Sequence, residues 1–142
     1  MFKMPRKIEY ALMSLQMLNQ ASLKRLTAKD ISEQLGIPHQ VTAKTLQQLM
    51  NLGFVKSHEG AKGGYTLDHM CVNISLYEFL NKMHETPAIV KCQYFKIEKL
   101  QNESSNEENC EYFEICNIKQ SMILIQKKIE KVFKETKLTE II

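Results

Sequence analysis

Three of the four cysteines, Cys92, Cys110 and Cys116, fall in one polar stretch, separated by 17 and five residues. Thiolates are the preferred ligands of soft metals and of iron–sulfur clusters, so three thiols gathered on one segment point to that chemistry. No Cys-x-x-Cys pair occurs, which removes support for a zinc ribbon or a thioredoxin-type redox site. The count stops one short of four, so a further ligand must come from a carboxylate, a histidine or another subunit. The stretch Asn102 to Glu114 holds five glutamates and no base. Such surroundings disfavour a thiolate unless a metal compensates. The alternative is three free thiols, Cys116 simply packing beside the helix it precedes. Cys71 stands apart between Met70 and Val72 and is expected to be a small buried apolar residue. His58, His69 and His84 have no ligand partner at a recognisable spacing.

A second set of residues could read nucleic acid. Gln40, Lys44, Gln47 and Asn51 recur at spacings of four, three and four, one continuous polar helix face. Gln can bond adenine bidentately and Lys can reach the guanine acceptors, so Gln40 and Lys44 are the base-reading candidates, with His39 and Gln47 beside them. Lys56 and Lys62 are expected to meet phosphate or the minor groove, and Arg6, Lys7 and Lys24 to make backbone contacts that position without specifying sequence. The competing reading is a merely solvated face.

The elements that must position these groups are mostly helices. Residues 5–22 form the first, with Pro5 in its opening turn and Ile8, Leu12, Leu15 and Leu18 on one side. Thr27 and Asp30 form a capping-box pattern for a short second helix ending at Gly36. The third runs from Pro38 to about Leu52, with Thr42, Leu46 and Leu49 toward a core. The period then changes to alternation. Residues 54–58 and 65–67 read as strands around a glycine-rich turn at 59–64. Ser75 with Glu78 caps a fourth helix, and Pro87 closes that region. Residues 92–116 read as a long loop. A last helix spans about 117–137, where Ile118, Met122, Ile125, Ile129 and Val132 form a coiled-coil-like seam. The fold class is therefore mainly α with a small β-hairpin. The order of helix, turn, helix and glycine-tipped hairpin is that of a winged helix-turn-helix domain. The expected division is residues 1–86 as the DNA-binding domain, 87–116 as the cysteine-bearing loop, and 117–142 as a C-terminal dimerisation helix and tail.

Composition narrows the rest. The 142 residues suffice for one ordinary domain plus a dimerisation element, and an apolar share of 44% with 25% charged residues excludes wholesale disorder. No run approaches the roughly 20 apolar residues of a membrane span. The basic N-terminus lacks a signal-peptide pattern, so a cytoplasmic location is expected. The net charge of +3 conceals an asymmetry. Residues 1–70 hold nine Lys/Arg and five Asp/Glu (+4), and residues 71–142 hold ten and eleven (−1). The excess cations sit in the half that carries the polar helix face. No nucleophile–base pair or carboxylate dyad appears, and Gly60 to Gly64 lies between strands, which is wrong for a P-loop. An enzyme is not expected.

Four stretches carry a family likeness: Lys7-Ile8-Glu9-Tyr10-Ala11-Leu12, Thr27-Ala28-Lys29-Asp30-Ile31-Ser32, Leu49 to Val55 leading into Gly60-Ala61-Lys62-Gly63-Gly64-Tyr65, and the late cysteine triplet. On these the chain resembles the bacterial winged-helix iron–sulfur transcriptional regulators (the IscR/NsrR-like, Rrf-type regulators), over nearly its whole length. The resemblance implies a homodimer with crossed C-terminal helices, a palindromic operator in double-stranded DNA, and an iron–sulfur cluster bound by Cys92, Cys110 and Cys116. It further implies Glu9 of the partner subunit as the remaining ligand, and operator affinity set by redox state, nitric oxide or Fe–S status. A cluster of the [2Fe–2S] type is expected over [4Fe–4S]. Three departures stand out. Lys119 occupies the place of a histidine ligand in some relatives, Glu59 replaces a basic wing residue for which Lys62 is the substitute, and the gap after Cys92 is long. Two other readings remain: a cluster-free regulator responding through thiol oxidation or a partner protein, and a protein-interaction module that binds no DNA.

Overall fold

A computed structural model describes residues 3–22, 24–85, 87–89, 110–112 and 114–142. Five α-helices are found among them: α1 (Arg6–Gln20), α2 (Ala28–Leu35), α3 (His39–Asn51), α4 (Leu76–Lys82) and α5 (Lys119–Glu135). Strands β1 (Val55–His58) and β2 (Gly64–Leu67) pair antiparallel between α3 and α4, and a short 3₁₀ turn, Leu138–Glu140, follows α5. Helices and hairpin together form the winged helix-turn-helix with a long C-terminal helix that the sequence pattern predicts.

Local chemistry sets the boundaries. The Thr27 hydroxyl accepts from Asp30 N at 3.1 Å while the Asp30 carboxylate accepts from Thr27 N at 2.7 Å, so both predicted partners of this capping box are in place. Ser75 and Glu78 repeat the arrangement at α4, with Ser75 N donating to Glu78 at 2.8 Å. Each box satisfies amide groups that a helix start leaves without an intrahelical acceptor.

The apolar sides of α1 to α4 share one core. Ile8, Leu15, Leu18, Ile31, Leu46, Leu49 and Phe79 are completely buried, and Phe54 meets Phe79 edge to face with centroids 5.2 Å apart. The C-terminus joins the same core. Leu138 is fully buried there, and the backbone around it runs beside the α4 entrance, with Leu76 N donating to Thr136 O (2.8 Å) and Leu138 N to Ile74 O (2.9 Å). Helix α5 is thus fastened to the helical body at its C-terminal end, where it packs against α4.

The hairpin has a third member absent from the sequence reading. Leu26 and Tyr65 exchange both backbone hydrogen bonds, Leu26 N to Tyr65 O at 3.1 Å and Tyr65 N to Leu26 O at 2.8 Å. The α1–α2 connection therefore runs along β2. Gly64 permits the approach: a Cβ there would stand 2.9 Å from the Leu26 carbonyl oxygen, and its φ of +138° is disfavoured for any L side chain.

Candidate nucleic-acid interface and cysteine segment

Helix α3 divides cleanly by face. Thr42, Thr45, Leu46 and Leu49 are buried against the core, while His39, Gln40, Lys44, Gln47 and Asn51 are exposed. The two threonines satisfy their hydroxyls within the helix, on Pro38 O and Val41 O. The exposed face is one wall of a groove. His39, Gln40, Lys44 and Gln47 line it from α3, and Ser57, Glu59 and Tyr65 line it from the hairpin. Four of the six expected DNA-reading residues are thereby brought together. Two helical amides of glutamine, one ammonium and one imidazole face outward across a cleft also bordered by a carboxylate. Such a set can both donate to and accept from base edges.

Lys56 and Lys62 lie elsewhere. In the hairpin register Ser57 pairs with Tyr65, both on the groove side, while Lys56 pairs with Thr66 on the opposite face. There the Lys56 ammonium donates to Asp68 at 2.9 Å. The hydrogen bond from Lys56 holds the Asp68 carboxyl below its ordinary range, and that same bond raises the lysine. Strand alternation turns Lys56 away from the α3 groove and toward Asp68, with its side chain still 65% exposed. Lys62, at the hairpin tip, shares a second cleft with Lys24, Arg25 and Gly63, and Arg25 Nη1 donates to the Lys62 carbonyl at 3.1 Å. Arg25 escaped the sequence reading. A lone residue in a short connection shows no periodicity, and only the Leu26–Tyr65 pairing brings it beside the wing.

Of the other expected backbone contacts, Arg6 pairs with Glu9 at 3.3 Å and Lys7 with Glu85 at 2.6 Å, a link from α1 to the end of α4. Lys24 is exposed.

In the cysteine segment, Cys110 and Cys116 are free, half-buried thiols on the chain leading into α5. Cys92 lies outside the described residues. Among the described residues, no three His, Cys, Asp or Glu side chains stand close enough together to hold a metal ion. The donor chemistry of Cys110 and Cys116 nonetheless suits iron in a cluster, since both are thiols outside any disulfide and only partly shielded. Glu9 sits in the first turn of α1, partly exposed, its carboxylate paired with the Arg6 guanidinium. Cys71 corrects an expectation: it is exposed, not buried. A turn explains this. Met70 N donates to the Asp68 carboxylate (3.1 Å) and Cys71 N to the Asp68 carbonyl (3.0 Å), which sends Val72 into the core and leaves Met70 and Cys71 outside.

Helix α5 carries the remaining unforeseen group. Gln126 is 1% exposed, the only buried residue of that helix. Its amide donates to Pro87 O at 2.6 Å and to Glu130 at 3.1 Å, and its carbonyl accepts from Ile89 N at 2.9 Å. Gln126 therefore clasps the backbone of residues 87–89, the chain that leads toward Cys92. The predicted seam is split: Met122 and Ile129, at i−4 and i+3, share the Gln126 face and are half-buried, while Ile118, Ile125 and Val132 on the adjoining face are 58%, 43% and 59% exposed.

A winged helix-turn-helix with a polar recognition face and a long apolar-faced C-terminal helix defines a class of transcription regulator. Within it, the chain belongs to the Rrf2 family, described as iron-dependent transcriptional regulators, whose pattern matches residues 4–142. It is 26% identical over 68 residues to the HTH-type transcriptional repressor NsrR of Streptomyces coelicolor, a stretch covering 48% of this chain and 46% of that protein. It is 30% identical over 80 residues to Protein rrf2 of Nitratidesulfovibrio vulgaris, covering 56% and 53%. The chain thus spans about half the length of the curated relatives it matches. In fold it is similar to CymR, the global cysteine regulator of B. subtilis (TM-score 0.64, 20% identity, 98% of this chain and 95% of that one). It is similar also to T. potens IscR (TM-score 0.63, 21% identity, 96% and 83%). These relatives are regulators rather than enzymes. No helix among the described residues is long and apolar enough to cross a membrane.

Proposed function

We propose that the protein is a homodimeric, DNA-binding transcription regulator of the cytoplasm whose affinity for a palindromic operator is controlled through an iron–sulfur cluster. The observation that carries the DNA-binding part is the groove in which α3 and the hairpin present Gln40, Lys44, Gln47 and His39 to one side. Helix α3 enters the major groove, Gln40 and Lys44 read base edges, and Lys62 meets the sugar–phosphate backbone.

Dimerisation rests on α5. Ile118, Ile125 and Val132, with Met122 and Ile129 half-buried beside them, form an apolar stripe adjoining the face of the helix that is already packed. Two stripes meeting across a two-fold axis would set the spacing of two α3 helices. Half-sites lie roughly 34–36 Å apart, one helical turn of DNA, so a small change at the α5 pair alters operator fit.

Cys92, Cys110 and Cys116 would hold the cluster, of [2Fe–2S] type, with Glu9 of the partner subunit completing the ligands. Bound there, the group supplies a centre sensitive to oxidants or nitric oxide, and a carboxylate among its ligands makes it more labile than an all-thiolate site. The chain's own part is mechanical. Gln126 ties residues 87–89 to α5, and the Thr136–Leu138 backbone ties α5 to α4, whose Phe79 meets Phe54 in the shared core, so the cysteine segment is connected to the helical body that carries α3. Anaerobically purified protein should be coloured, with iron and acid-labile sulfide in equal amounts, and Cys110→Ala should bleach it. Colourless wild-type protein without iron would overturn the cluster assignment and leave the DNA-binding part to be judged by its own salt-sensitive shift.

A further inference from the structure

The wing of this chain is cationic at an unusual place. On the groove side its outermost charged residue is Glu59, an acceptor-only group that repels phosphate. The cations gather instead at the junction of the hairpin tip with the α1–α2 connection, where Lys24, Arg25, Lys62 and Gly63 line one cleft. Two features fix Arg25 there. The paired Leu26–Tyr65 hydrogen bonds lock the adjoining backbone, and the guanidinium spends one N–H on Lys62 O at 3.1 Å. Its other N–H groups can face outward with the guanidinium already held, which lowers the ordering cost of any contact they make. The same Tyr65 that pairs with Leu26 also lines the α3 groove, so cleft and groove are neighbouring parts of one surface.

We propose that Arg25, braced by the Lys62 carbonyl, is a specificity-determining residue that enters the DNA minor groove beside the half-site read by α3 and selects A·T-rich flanking steps. The inference rests on the DNA-binding reading given above. A narrow A·T minor groove concentrates negative potential and favours a weakly hydrated guanidinium over an ammonium. Lys24 and Lys62, in the same cleft, suit the phosphates that border such a groove.

The test uses the full-length protein and duplexes selected from a randomised pool, resynthesised with A·T, G·C or I·C flanks around one unchanged core. Inosine removes the guanine amino group from the minor groove but leaves the major-groove pattern of G·C, so it isolates minor-groove reading. Wild type should bind A·T and I·C flanks at least fivefold more tightly than G·C flanks. Arg25→Lys should keep the salt dependence and core affinity while the flank preference falls below twofold. Arg25→Ala should lose the preference too, with a salt slope lower by about one. The Arg25 side chain is exposed, so both variants should melt with wild type; if the alanine variant does not fold, the lysine variant alone decides. A wild type indifferent to flanks, or a preference that survives both substitutions, overturns the proposal. A wild type with no salt-sensitive DNA binding at all overturns the DNA reading beneath it.

Discussion

Helices α3 and α5 are built inside out relative to each other. In α3 the apolar and hydroxyl-capped residues go inward and the amides and ammonium go outward. In α5 Leu124, Ile125 and Val132 face solvent, and the single buried residue is a glutamine. Each inversion has a cost that something must offset. Burying an amide is tolerable only when its hydrogen bonds are made, and Gln126 makes three. Exposing a line of branched aliphatics is tolerable only if another apolar surface covers it. The contrast fits the proposed division of work: α3 presents polar groups outward, whereas α5 grips its own chain on one face and leaves Ile125 and Val132 exposed on the adjoining one.

The comparison breaks most sharply at the seam. Ile125→Glu with Val132→Glu places four carboxylates at the centre of the two-fold contact in a dimer. Dimer affinity should fall at least a hundredfold, measured by sedimentation at micromolar protein, and operator binding should fall with it. A doubly substituted protein that remains dimeric would remove α5 as the interface.

The next effect is on the opposite helix. Gln40→Ala with Lys44→Ala should weaken binding to a selected operator by roughly thirty- to a hundredfold, the lower end of the about 1–3 kcal/mol that each good side-chain contact to a base edge contributes. Melting temperature should stay with wild type because both residues are exposed. Equal losses on operator and on unrelated DNA would mean that these groups position the protein without reading sequence.

What the sequence disclosed follows the range of the forces involved. Capping boxes act over three residues, so Thr27 with Asp30 and Ser75 with Glu78 could be read directly, and the wing turn announced itself through its glycines. Arg25 and Gln126 could not. The first depends on a pairing between residues 26 and 65, the second on contacts between residue 126 and residues 87 and 89. In a lysine-rich helix a glutamine carries no local sign of being buried. Cys71 misled for the same reason: its apolar neighbours suggested a core position, but the Asp68 turn decides which of three consecutive residues points inward.

Gln126 yields the third effect. Gln126→Leu keeps the volume but leaves Pro87 O and Ile89 N without their partner, at about 1–3 kcal/mol for a buried polar group left unpaired. The loss should appear in urea unfolding, and the Ile89 amide should exchange with solvent faster in the variant. Unchanged exchange at Ile89 would mean that α5 does not hold this segment through the glutamine.

The smallest effect belongs to the helix starts, and its pH dependence has a definite sign. The Asp30 carboxyl lies below its ordinary value of 3.8, first because Thr27 N donates to it and then because the Thr27 hydroxyl does. Glu78 is lowered from 4.5 by the equivalent bonds of Ser75. A carboxyl whose folded value is depressed stabilises the fold above its unfolded value, and that contribution is lost as pH falls through the folded value. Stability should therefore be level from neutrality down to about pH 5 on account of these two groups and decline below pH 4. Asp30→Asn removes the charge but keeps a side-chain acceptor. It should lower Tm by no more than a few degrees at pH 7, the gap closing as acid protonates the wild-type carboxylate. A gap that persists unchanged at pH 3 would show that shape rather than charge sets the value of this cap, and α2, which precedes the recognition helix, would owe its start to packing alone.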